Sequence, residues 1–416
     1  MVAEPAGEAL RYRLLETIRQ FAAERLTYAG DDEGTAVAAA HCAHYLRLAE
    51  TAALHLTGPG QGSWLARLDT DQANLRRAAL HAASRPDRTE QVLRLGVALR
   101  RYWMARTRDE EGLALLQPAL DRPDARADSQ LFATALVTAA TVGCRGDIAR
   151  ARRLGERAVR LARQLGHERL LIDALVTLGF VCYLAGEPKR GLPLGREAVQ
   201  RARQLGDDVM LGMSLTNYLL CEALLDPAHA GPLFTEAFAC TQRSGDHLVA
   251  GFVLNNAGVH ALRAGDIPAA RAYLQQAAKA ERAIGGDNLR LSINMGWVLR
   301  QDHDPDGARS SFAAALPISR RSGGRSGIAY ASLGLACLAA DAGDWRRAAV
   351  LHGVAQAFLD PTGQPWEELE ARYRQDSLAE VRARLGQEQF EPAYSMGMAL
   401  SPDEALDLVS GKALPA

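Results

Sequence analysis

The 416-residue sequence predicts an all-α fold: a right-handed helical-repeat superhelix, or solenoid, with a period of about 40 residues. Three observations predict it. Breaks of one kind recur along the chain, as QLGHE (164–168), QLGDD (204–208), RSGDH (243–247), IGGDN (284–288) and RSGGR (321–325). A second set interleaves with them: RGDIARA (145–151), AGEPKRG (185–191), LDPAHAG (225–231), AGDIPAA (264–270) and AGDWRRA (342–348). Between consecutive breaks lie 15 to 18 residues with apolar positions at helical spacing, as in Ile148, Leu154, Val159, Leu161 and Leu165.

Each element follows from this grammar. Near the N-terminus, RYRLLE (11–16) reads as a short β segment leading into a helix that runs to residue 26. Five or so less regular helices occupy residues 8–122. From there the Gly after each helix supplies a left-handed C-terminal cap, and the Asp beside it caps the next helix. Each unit is therefore a helix pair, and six are expected, at 128–166, 167–206, 207–245, 246–286, 287–324 and 325–362. Neither helix of a pair buries enough apolar surface alone, so neighbours must stack, and a C-terminal cap at 363–416 must cover the last pair. The whole amounts to roughly 16 to 18 helices. The fifth unit has an irregular turn, QDHDPDGA, in which Asp302, Asp304, Asp306 and Gly307 open like a calcium loop. Its twelfth position is Ala313 instead of the required Glu, so it reads as a capped turn.

Composition narrows the function classes. With 48 basic and 49 acidic residues, no global charge draws the chain to nucleic acid or to an anionic membrane. The six cysteines stand apart in apolar helical pattern, with no CxxC and no Cys/His cluster, so no metal, no disulfide framework and a reducing cytoplasm are expected. The first residues, MVAEPAGEALRYR, lack the apolar core of a signal peptide, and no uncharged run is long enough to span a bilayer.

The order of residues in LNNAGVHALRAGDIPAARAYL (254–274) and LVTLGFVCYLAGEPKRGLPL (175–194) resembles the tetratricopeptide repeat. There a small residue, here Gly179, Gly258, Gly296 or Gly334, sits where the two helices touch. The ends sharpen the likeness. RYRLLETIRQFAAERL (11–26), TGPGQGSWLARLDTDQANLRRAAL (57–80), RAAVLHGVAQAFLD (347–360) and VRARLGQEQFEPAYSMGMALSPDEALDL (381–408) are similar to the sensor region of large actinobacterial ATPase transcriptional regulators of the signal-transduction (STAND) type. The resemblance implies four parts: a remnant of a winged-helix-like closing segment (1–28), an irregular helical region (29–122), six tetratricopeptide-like pairs (123–362) and a helical cap (363–416). The phosphate loop of that family's ATPase, GxxxxGK[ST], does not occur, since GPGQGS (58–63) has no Lys. The expected role is thus the sensor arm, without the ATPase and the DNA-reading portion.

Equivalent positions around the small residues give a candidate concave face. It comprises Val176, Phe180 and Tyr183, then Met213, Thr216 and Leu220, then Phe252, Asn255, Val259 and Arg263, then Arg290, Ile293, Trp297 and Arg300. The residues proposed to touch ligand are Phe180, Tyr183, Met213, Phe252, Asn255, Arg263, Arg290, Trp297 and Arg300. Trp297 and Arg300 form the leading pair, an aromatic face and a guanidinium one turn apart that suit an anionic or aromatic ligand. A polar column, Thr177, Asn217, Asn256, Asn294 and Ser332, reads as structural, bonding between helices.

No catalytic constellation emerges. His41 and His44 share a helix face without a third metal ligand, and the carboxylates of WEELEARY (366–373) and DTD (69–71) read as caps and solvated faces. The arginine run at 149–169 reads as a solvated helix face. Three functions stay open. The first is a non-catalytic sensor or interaction arm of a transcriptional regulator, holding a partner protein, a peptide or a small amphipathic molecule in its groove, with no cofactor and no direct contact to nucleic acid. The others are a free-standing scaffold and a biosynthetic enzyme that reuses the groove.

Overall fold

A computed structural model describes residues 2–6, 9–13, 16–28, 31–322 and 324–409. The chain opens with an antiparallel pair of strands, β1 (Val2–Ala6) and β2 (Ala9–Arg13), with Val2 opposite Arg13. The strand expected at 11–16 thus lies slightly earlier, and α1 (Glu16–Tyr28) follows it. Five more helices precede the regular array: α2 (Asp31–Ala53), α3 (Gln61–Thr70), α4 (Gln72–Ala83), α5 (Thr89–Arg106) and α6 (Asp109–Leu120).

Six helix pairs then run in order. They are α7 (Ser129–Gly143) with α8 (Ile148–Leu165), α9 (Glu168–Leu184) with α10 (Pro188–Leu205), α11 (Asp208–Leu225) with α12 (Pro227–Ser244), α13 (His247–Arg263) with α14 (Ile267–Ala283), α15 (Leu289–Gln301) with α16 (Pro305–Ser322), and α17 (Arg325–Asp341) with α18 (Trp345–Leu359). Helices α19 (Glu368–Leu385), α20 (Gln387–Ala399) and α21 (Pro402–Val409) close the chain. The described residues hold 21 α-helices, more than the 16 to 18 expected, because the leading and closing regions break into short helices that weak periodicity does not separate.

The local grammar is realised as hydrogen bonds. Asp128, Asp147, Asp207, Asp246, Asp266 and Asp344 each accept a backbone N–H in the first turn of the following helix. In the irregular fifth turn Asp304 caps α16 through the Gly307 amide, and Asp302 pairs with Arg271, so the aspartates serve the turn. Gly166, Gly206 and Gly245 close α8, α10 and α12 with φ of 63°, 67° and 68°, a conformation in which a side chain is strained.

Packing within and between pairs depends on the small residues. A Cβ on Gly334 would stand 2.4 Å from the Phe312 ring, one on Gly296 2.6 Å from the same ring, and one on Gly258 2.7 Å from Leu274. The core runs along the array as successive clusters, with Phe132, Leu136 and Ile172 in one near the start and Trp297, Phe312 and Val354 in another near the end. Arginine–carboxylate contacts recur at about one repeat: Arg152–Glu187, Arg163–Glu197, Arg203–Glu236 and Arg300–Asp341 tie neighbouring pairs, and Arg243–Asp208 and Arg321–Asp287 tie the two halves of one unit. Two arginines of the run at 149–169, Arg152 and Arg163, take part in this ladder, and Arg169 pairs with Asp207. Most of these pairs are well exposed and each contributes well under about 1 kcal/mol, so their main effect is on register between repeats.

The superhelix winds tightly enough for distant parts to meet. Asp246, 1% exposed at the start of α13, receives two hydrogen bonds from Arg101 of α5 (2.5 and 2.7 Å) and one from Gln61 of α3 (3.1 Å). Gln61 also accepts from the Leu248 amide, and Arg101 donates to the Leu56 carbonyl. At the other end, the Gln364 side chain donates to the Arg145 carbonyl, 219 positions away. These contacts enclose the concave side.

Candidate functional site

The first helices of the first five pairs face inward, and α5, α7, α9, α11, α13 and α15 line one partly open chamber of about 230 Å³. Its wall repeats at helical spacing: Val176, Phe180 and Tyr183 on α9, Met213, Thr216 and Leu220 on α11, Phe252, Val259 and Arg263 on α13. The leading helix α5 contributes Arg100, Arg101 and Met104, and the segment before α19 contributes Glu367.

Polar groups converge in two places. On the first, Arg100 and Asp173 form an ion pair at 2.5 Å. Nearby, Asp109 stands near Arg145 at the start of α6; burial pushes its carboxyl up to about 7 although Arg145 pulls it down. The Arg145 guanidinium lies over the Phe180 ring, 5.5 Å from its centre. His260, against the Phe234 ring at 5.6 Å, is held below its ordinary value by burial and by Arg263.

The second place is denser. Glu367 accepts from the Tyr183 hydroxyl at 2.7 Å and from the Tyr330 hydroxyl at 3.5 Å, and pairs with Arg290 at 3.0 Å. Arg290 also lies over the Tyr330 ring at 4.5 Å and reaches Glu370 at 3.5 Å. Burial alone would raise Glu367; Arg290, the Tyr183 hydrogen bond and Arg263 overcome it and hold the carboxyl below its usual range. Glu370, 2% exposed, moves the other way, raised by burial with Glu367 adding to it against the pull of Arg290. Two donors stay unused: Nη1 of Arg290 and Nε of Arg263 have no hydrogen-bond partner, the latter standing 3.7 Å from Glu368.

Of the nine residues proposed from the sequence, seven line this chamber: Phe180, Tyr183, Met213, Phe252, Asn255, Arg263 and Arg290. Trp297 and Arg300 do not. Trp297 is 0% exposed, edge-on to Phe312 at 4.9 Å and beside Tyr373 of α19 at 4.6 Å, and Ile293 is equally buried. Arg300 pairs with Asp341 through two hydrogen bonds of 2.7 and 2.8 Å and lies over Tyr373. The closing helix α19 covers the inner face at this repeat, which takes both residues out of the groove.

Three other expectations are refined. The carboxylates of 366–373 divide: Glu368 is well exposed, whereas Glu367 and Glu370 turn into the protein. Asp69 accepts from the Tyr102 hydroxyl and from Arg106, so it ties α3 to α5. The polar column bonds between helices at Thr177, which meets Thr141 at 3.2 Å, and at Asn294, which donates to Asn255 at 2.9 Å; Asn217 bonds to its own helix, and Ser332 is fully buried. Four of its members, Thr177, Asn217, Asn256 and Asn294, also border the chamber. Arg145 and Glu367 were not foreseen as site residues, because each sits in a turn that only the winding of the array brings to the wall.

No family model matches the chain. Proteins of Mycobacterium bovis and Mycobacterium tuberculosis described as helix-turn-helix-type transcriptional regulators are 32% identical over 193 residues, covering 43% of this chain and 21% of theirs. The match therefore spans about a fifth of the length of these curated relatives. Among solved structures, a Rap protein complexed with Competence and Sporulation Factor superposes with a TM-score of 0.51 at 11% identity, over 84% of this chain and 99% of that one. A STAND protein with a tetratricopeptide repeat sensor from Pyrococcus horikoshii gives 0.46 at 15% identity, over 80% and 54%.

The chain is a tetratricopeptide-like helical-repeat solenoid. At these identities the structural matches bear on the fold alone. In this solenoid the described residues contain no group of three or more His, Cys, Asp or Glu able to hold a metal, and no helix long and apolar enough to cross a membrane. His41 and His44 flank the Tyr45 ring, at 4.6 and 4.9 Å. What the chamber can do chemically is bind: an apolar wall with a few fixed charges and amides is the usual make-up of a ligand site.

Proposed function

We propose that this solenoid is the sensor or interaction arm of a transcriptional regulator and that it holds a small amphipathic molecule or a peptide in its inner chamber. The observation that carries the reading is the chamber itself, built from the first helices of successive repeats and enclosed by contacts between distant parts of the chain. A scaffold that used only its outer surface would not need an apolar inner groove set with a few fixed charges, the usual make-up of a ligand site. The partial likeness to transcriptional regulators supports the regulatory setting, and the Rap match in complex with its factor is a precedent for occupancy of such a fold. On this reading residues 1–28 are the remnant of a closing segment and 363–416 the cap.

Native mass spectrometry tests it directly. The chain, expressed in an actinomycete, should carry a non-covalent adduct under gentle conditions that is lost on denaturation. Asn256→Trp, which places an indole in the chamber, should remove the adduct while the far-ultraviolet dichroism stays unchanged. An adduct that survives this substitution would place binding elsewhere.

A further inference from the structure

The segment between α18 and α19 behaves unlike a connecting loop. Gln364 anchors it to the Arg145 carbonyl at 2.8 Å, and three residues later the Glu367 carboxylate enters the chamber wall. There it meets two phenol hydroxyls and a guanidinium, the donor set that proteins present to a bound carboxylate. The tyrosines come from α9 and α17, and the arginines from α13 and α15, so four helices converge on one tethered acid.

The wall is also richer in donors than Glu367 can use. Arg290 keeps Nη1 and Arg263 keeps Nε without a hydrogen-bond partner, and among the described residues the Arg145 guanidinium has no ion pair. A buried donor left without a partner is costly, so such a surplus marks a wall that one more acceptor would complete. Beside this basic wall lies the apolar surface of Phe180, Met213 and Phe252.

Resting on the proposed chamber function, we infer that this wall is a carboxylate site which Glu367 fills in the unliganded chain, and that its ligand is an amphipathic acid whose carboxylate replaces Glu367 and whose apolar body lies along Phe180, Met213 and Phe252. Binding would then release the segment at 364–367 and the start of α19 from the chamber wall. The chain's own acid thus competes with the ligand, and the fraction of chains with the site open scales the apparent affinity.

The test uses the full chain with Nile red, an uncharged apolar dye, and two competitors of equal length, decanoate and decanol. Decanoate should displace the dye about tenfold more effectively than decanol, the factor expected of one hydrogen-bonded charge. Glu367→Gln, which keeps the shape but removes the competing charge, should tighten decanoate by about tenfold and leave decanol unmoved. Tyr183→Phe, which removes one donor, should weaken decanoate alone. Equal displacement by decanoate and decanol, or a Glu367→Gln variant in which both competitors change together, overturns the carboxylate site while the chamber reading stands. No dye, decanoate or decanol bound by either protein overturns both.

Discussion

Removing the carboxylate of Asp246 should destabilise the solenoid far more than removing any surface acid. The side chain is 1% exposed and accepts from three directions: the Val249 amide at 3.2 Å, Gln61 at 3.1 Å and Arg101 at 2.5 and 2.7 Å. In Asp246→Ala the helix loses its N-cap, about 1 kcal/mol. Gln61 and the Nε of Arg101 keep the Leu56 carbonyl, so the group left stranded is the far end of the Arg101 guanidinium, whose side chain is only 14% exposed. Breaking a buried pair costs about 3–5 kcal/mol, and the slight exposure of Arg101 puts this one at the lower end. The sum is about 4 kcal/mol, read as a lowered urea midpoint at constant slope. Asp246→Asn keeps the cap and the Gln61 contact and should lose about half as much. Arg101→Ala with Asp246→Ala should cost less than the two singles together, because the second change removes the stranded charge. A single-mutant loss below about 1 kcal/mol, or an additive double mutant, would refute the reasoning. Because this contact bridges residues 145 positions apart, its loss should also raise the radius of gyration measured by X-ray scattering.

Three further outcomes follow from the packing. Trp297→Ala should cost about 3–5 kcal/mol in urea titration, since the indole is fully enclosed by Phe312 and Tyr373, and it should leave the native-spectrum adduct in place. Gly334→Ala should cost about 1–3 kcal/mol, because its Cβ would meet the Phe312 ring at 2.4 Å; Phe312→Leu in the same chain should recover part of that loss, and a double variant worse than either single would contradict the contact. His352, 0% exposed and hydrogen-bonded to Ser377, is held down to about 3 by burial, with Arg374 and Arg382 acting in the same direction. The unfolded chain takes up this proton near pH 6.5 and the folded one does not, so wild type loses about 1.4 kcal/mol per pH unit as the pH falls from about 6.5 toward 3. His352→Gln lacks that loss, and its stability relative to wild type should improve by about 2 kcal/mol between pH 7.5 and pH 5; an unchanged difference would show that the imidazole titrates normally.

The sequence by itself determined the helix pairs, because every signal involved is local. A Gly able to adopt positive φ ends one helix, an Asp within three residues starts the next, and apolar spacing marks the face between them. It also placed Phe180, Met213, Phe252 and Arg263 on the inner face, since the position after or near each small residue points the same way in every repeat. Only the tertiary structure decided which inner positions stay open. Phe180, Val259 and Trp297 each follow the equivalent glycine, yet the first two line the chamber and the third is buried, because α19 folds back over the fifth repeat. The entry of Glu367 has the same origin. Its neighbours on the wall come from α9, α13, α15 and α17, and they converge through the accumulated small rotations between repeats, a quantity that no local pattern encodes. A helix can be read from the residues four apart that stabilise it; an enclosed chamber needs contacts such as Arg101–Asp246 and Gln364–Arg145, whose partners are 145 and 219 residues apart.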